Sequence, residues 1–241
     1  MRFAAWQFRL QGLTIWPWVP SAFTVDQDKL LDSLGPINRL ALAYAPRSAR
    51  PQLVALLALD MRLAGIVRNS REPMLAQLRL AWWREQLAGD TSRWPEGEPL
   101  LAALRSWEGR HSALMPLVDG WEAMTRTAPL PEEAFVKLAD ARGAAFAALA
   151  DDPEAAADAV RLGRNWALAD MSGRLSNARE RATVLALAKA QDWRSVRLPK
   201  RLRPLVVLHG LAARSLRAGE NGVRVSPVSL LAVMRMGLLG R

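Results

Sequence analysis

The chain has 241 residues, 51% of them apolar, which is enough to bury a full core as one large domain. It contains no cysteine, so disulfides, thiolate metal sites and thiol nucleophiles are excluded, and its two histidines, His111 and His209, are too few for a histidine-rich metal centre. The net charge of +10 is uneven: residues 161–241 carry 16 Lys or Arg against 4 Asp or Glu, whereas residues 1–160 carry 17 against 19. A cationic surface of this kind meets anionic lipids, nucleic acid, diphosphates or acidic proteins, although an arginine-rich composition produces the same bias with no ligand at all.

Residues 1–25 form a leader that is either disordered or set at a membrane interface by Trp6, Trp16 and Trp18. It lacks the apolar run and small-residue cleavage pattern of a signal peptide, and Arg9, Gln11 and two prolines interrupt it as a membrane span. From residue 26 onward the pattern is helical throughout. A helix over 26–45 is broken or kinked at Gly35 and Pro36. The next covers 50–69, with Pro51 in its first turn.

The stretch 73–89, PMLAQLRLAWWREQLAG, carries two apolar stripes: Leu75, Leu78 and Trp82 on one side, Ala76, Leu80, Trp83 and Leu87 on the other. Two stripes predict a helix lying between two layers, its paired tryptophans filling core. A polar loop follows over 90–99, then shorter helices at 100–109 and 112–125. Glu132 and Glu133 open a helix that runs to Ala150, with acid at its positive end. Asp151 and Asp152 start another through Pro153 that reaches Leu175. Helices at 179–191, 202–218 and 227–239 complete the set, separated by the basic break DWRSVRLPKRLR.

No stretch alternates with period two for long enough to be a strand. About ten helices with short connectors predict an all-α, single-domain bundle over residues 26–241.

The chain carries no phosphate-binding glycine loop, no nucleophile elbow and no HExxH. Two carboxylates, Asp60 and Asp170, stand inside otherwise apolar helices. An isolated buried charge is costly, so each requires a cation or a wet cavity. Arg62, Arg68, Arg164 and Arg174 are the cations near them in sequence.

The succession LALAYAP, LVALLALDMRLAGIVRN, EPMLAQLRLAWWREQL, GRNWALADMSGRL and LPKRLRPLVVLHGLAARSL resembles the squalene/phytoene synthase family over roughly residues 30–240. It is most similar to a divergent branch that includes mitochondrial complex I assembly factors of the phytoene-synthase-like type. The resemblance implies an isoprenoid-synthase-like bundle around a central cavity. It also implies an activity, the head-to-head joining of two prenyl diphosphates, with Mg2+ held by two DxxxD motifs on facing helices. Hard cations take carboxylate oxygens, and a four-residue spacing points two of them from one helix face.

Laid on this chain, the first motif places its acids at Ala64 and Arg68, with Asp60 one turn earlier. The second places them at Arg174 and Ala178, with Asp170 one turn earlier. Neither DxxxD is present, which predicts a non-catalytic binding or assembly protein needing no cofactor. Its cavity would be lined by Asp60, Arg62, Ala64, Arg68, Arg84, Asp170 and Arg174, with arginines holding a prenyl or lipid diphosphate in place of metal. The alternative is a Mg2+-dependent prenyltransferase with an altered metal site in which Asp60 and Asp170 are catalytic. The expected partners are a diphosphate lipid, a protein in assembly and the surface of an anionic membrane, with the chain cytoplasmic or peripheral to the inner membrane. Nucleic acid is not expected, because the basic third lacks interleaved aromatic residues.

Overall fold

The computed structural model describes residues 27–70 and 72–223. Among them lie ten α-helices, joined by short connections and four 3-10 turns, and no strand. The leader at 1–25 and the expected helix at 227–239 lie outside the described residues.

The first helical stretch is two helices, α1 (Gln27–Ser33) and α2 (Pro36–Leu42), because Pro36 starts a new helix behind an extended Gly35. Helix α3 (Arg50–Asn69) begins with proline in its first turn and buries every residue from Gln52 to Asp60, so that stretch of it is enclosed on all sides. Around it pack α1, α2, α4 (Pro73–Ala88), α5 (Pro99–Leu104) and α6 (Met115–Ala123). Glu98 accepts a hydrogen bond from the Leu100 amide at 3.2 Å and caps α5, while Arg62 reaches the same carboxylate from α3.

One expectation fails here. Helix α4 is not sandwiched: Ala76, Leu80, Trp83 and Leu87 are buried, but Met74, Leu75, Leu78 and Trp82 are exposed. The helix surrounded by neighbours is α3, whose run LVALLAL lacks a polar face altogether.

The second half of the chain is built on α7 (Glu132–Ala147) and α8 (Pro153–Ser172). Asp152 accepts from the Ala155 amide at 2.8 Å and starts α8, and Pro153 occupies its first turn. These two helices cross at close range. A Cβ at Gly143 would lie 2.5 Å from the Val160 carbonyl oxygen, and one at Gly163 would lie 2.7 Å from the Cα of Gly143. Only glycine at both positions lets the backbones approach this far. On its other sides α7 packs on α6, and α8 packs on α9 (Ala178–Lys189) and α10 (Arg203–Arg217). Helix α10 returns to α2, joining the two ends of the described chain.

A second close approach fastens the end of α8. Gly173 and Gly222 meet backbone to backbone, so that a Cβ on Gly173 would lie 2.5 Å from the Gly222 Cα, and Gly222 has a φ of +82°. Its amide donates to the Ser172 hydroxyl at 3.2 Å. Among the described residues no helix is long and apolar enough to cross a membrane.

Candidate functional site

The two carboxylates singled out by sequence meet through a residue that sequence reading passed over. Arg142, on α7 beside the Gly143 crossing, extends between Asp60 on α3 and Asp170 on α8. Its Nε and Nη2 lie 3.0 and 2.8 Å from the two oxygens of Asp60, and its Nη1 donates to Asp170 Oδ2 at 3.2 Å. All three are buried, with 4% of Arg142, 6% of Asp60 and 8% of Asp170 exposed.

The guanidinium carbon stands 5.2 Å from the centre of the Trp121 ring and 5.3 Å from that of Trp166. Both are within range for cation–π attraction, which is strongest where water is excluded. Trp121 also donates its indole N–H to Asp60 Oδ1 at 2.8 Å. The chain of charges ends at the surface. Arg174, one turn beyond Asp170, donates Nε to the same Oδ2 at 2.8 Å and is half exposed.

Two negative and two positive charges therefore alternate from Asp60 to Arg174, and the network is close to neutral. Burial by itself disfavours a charged guanidinium, but the charges of Asp60 and Asp170 and their hydrogen bonds outweigh it and raise the Arg142 pKa above that of free arginine.

The other expected site residues lie elsewhere. Arg62 is exposed, paired with Glu98 at 3.1 Å, its guanidinium over the Trp83 ring. Arg84 binds Asp119 and Glu122 of α6, and these two carboxylates raise its pKa against the cost of burial. Ala64 is half-buried, and Arg68 is exposed on the last turn of α3. Arg164 pairs with Asp140 at 2.9 Å. Of the cations named beforehand, only Arg174 reaches either carboxylate. Arg142 escaped notice because it sits in an alanine-rich run whose helicity accounts for the run's composition; a single cation amid small residues was the available signal.

A family profile for squalene/phytoene synthase matches residues 38–172, more than half of the chain. The chain belongs to the squalene/phytoene synthase family. The match runs from α2 to the end of α8 and so contains Asp60, Trp121, Arg142, Trp166 and Asp170. Comparison with curated proteins and with solved structures gave no match.

Membership raises the question of magnesium. Mg2+ demands near-octahedral oxygen ligands, and among the described residues no three acidic or histidine side chains gather closely enough to hold a metal ion. Both oxygens of Asp60 are engaged by Arg142, one of them also by Trp121, and Asp170 Oδ2 is shared by Arg142 and Arg174. A metal there would face a fixed cation. The residues do not fit the group. A surface hollow between α6 and α7, lined by Asp119, Glu132, Glu133, Lys137 and Asp140, includes none of the three central residues.

Proposed function

We propose that this chain is a non-catalytic member of the squalene/phytoene synthase family that acts as a binding or assembly protein. The observation that carries the reading is Arg142, whose guanidinium stands between the two carboxylates nearest to the family's metal-binding motifs. A buried arginine cannot be deprotonated to make way for Mg2+. The positions of the motif acids themselves hold Ala64, Arg68, Arg174 and Ala178. Arg68 and Arg174, both solvent-accessible, offer planar donors that hold a phosphate without metal, so a prenyl or lipid diphosphate is the ligand class. The basic last third suits a cytoplasmic protein resting on an anionic inner membrane.

Titration of the full chain with farnesyl diphosphate, with and without Mg2+, tests this. The expected result is binding indifferent to Mg2+ and no release of pyrophosphate. Turnover to pyrophosphate, lost in Asp60→Ala or Asp170→Ala, would overturn the reading in favour of a prenyltransferase with a rebuilt metal site.

A further inference from the structure

A groove of about 430 Å³ lies open between α1, α3, α4 and α5. Leu30, Ala58, Met61, Ile66 and Leu100 make it apolar, and along α3 it extends from Ala58 to Asn69, about 16 Å of helix. Gly65 lines its middle. Gly65 and Asn69 stand roughly 140° and 180° round the helix from Asp60, so the groove faces away from the charged centre. Glycine is the poorest residue after proline for a helix interior, and each one there asks for a reason. Inside α6, α7 and α8 the reason is a neighbouring helix: a Cβ on Gly120 would lie 3.0 Å from the Leu138 Cα, and Gly143 and Gly163 sit at the crossing described above. At Gly65 a Cβ would meet nothing within 4 Å. No packing within the described residues requires this glycine; what its missing side chain preserves is the open groove.

The polar part of the lining is Ser33, Arg62, Asn69 and Arg79. Two of these are engaged. Ser33 donates its hydroxyl to the Leu30 carbonyl at 2.6 Å, and Arg62 binds both oxygens of Glu98 at 3.1 and 3.3 Å, which cancels its charge. Asn69 and Arg79 are exposed, and neither has a hydrogen-bond or ion-pair partner among the described residues. The groove therefore combines an apolar trough with one uncompensated positive charge and one free amide. That combination selects a hydrocarbon chain ending in a single negative charge. A diphosphate brings more charge than one guanidinium balances, and a neutral lipid leaves the guanidinium without a counter-ion. The volume lies in the lower part of the range of about 300–1,000 Å³ found for small-molecule sites, and a docked helix, about 10 Å across, is too thick for it.

We infer that this groove binds the carboxylate form of a long-chain fatty acid, its alkyl chain laid over Gly65 and its head held by Arg79 and Asn69. The forked donors of an arginine match the two oxygens of a carboxylate. The inference does not rest on the diphosphate reading, because neither Arg68 nor Arg174 lines the groove.

The test is titration of the full chain with cis-parinaric acid, a fatty acid whose fluorescence rises in an apolar site. The unaltered chain should bind it saturably, dodecanoate should displace it, and dodecanol should need about tenfold more, the worth of a charge-assisted hydrogen bond. Gly65→Leu fills the groove from its floor and should abolish binding while melting no lower than the unaltered chain, since leucine is the better helix former. Arg79→Gln, an exposed substitution that leaves the core untouched, should weaken binding about tenfold. No saturable binding by the unaltered chain would overturn the inference, as would binding that survives Gly65→Leu or is unchanged in Arg79→Gln. Displacement by dodecanol or farnesyl diphosphate as readily as by dodecanoate would overturn the choice of a monoanion. Binding of farnesyl diphosphate at its own site should be the same in Gly65→Leu as in the unaltered chain, so either proposal can fail without the other.

Discussion

Arg142 shows how a single side chain alters what a polar site can do. Two carboxylates facing each other across helices repel and invite a divalent ion; with a guanidinium between them the same pair becomes a structural tie. Removing one partner from a buried ion pair leaves an uncompensated charge, which typically costs about 3–5 kcal/mol. Arg142→Met should lower unfolding stability by that order in urea denaturation. Combining it with Asp60→Asn and Asp170→Asn should recover much of the loss, because no bare charge then remains inside. Equal instability of the single and triple variants would mean that the guanidinium acts by packing between Trp121 and Trp166 rather than as a counter-ion. Sequence made half of this visible. Asp60 and Asp170 stood out as acids among apolar neighbours, but their shared partner lies 82 and 28 positions away, beyond what local spacing reveals.

At the level of helices, the tie depends on how closely α7 and α8 approach. Gly143→Ala would drive a methyl group into the Val160 carbonyl, a backbone atom that cannot rotate away, and overpacking of this kind costs typically about 1–3 kcal/mol. It should also separate Arg142 from Asp170, so thermal unfolding of Gly143→Ala combined with Arg142→Met should fall short of the sum of the two single effects, as expected for coupled sites. Strict additivity would count against that link. Helix starts were legible because they are local: Asp152 with Pro153 opens α8, and Glu132 and Glu133 fall in the first turn of α7, as their sequence position indicated. The surroundings of α4 were not, since an apolar stripe says that a face avoids water without saying what lies over it.

Across the whole molecule, the helical class followed from periodicity and short connectors, and membership of the family from motifs that lie mostly in α3, α4 and α8. Stability should depend on acidity through His209. This residue is buried on α10, stacked on Trp193 with centroids 5.0 Å apart, and faces the positive charges of Arg161 and Arg217 and the negative charge of Asp192. Burial above all, and then the two arginines, lower its pKa to about 4. The unfolded chain takes up this proton near the ordinary value of 6.5, so the fold is favoured above 6.5 and loses up to about 3 kcal/mol as pH falls to about 4. His209→Phe should flatten the urea midpoint across that window, and a slope identical to that of the unaltered chain would remove His209 as its source. The buckle between Ser172 and Gly222 has a mechanical corollary. Within the described residues the backbone at Gly222 is fastened to a hydroxyl two residues from Asp170, so a displacement of that segment is transmitted to the charged centre.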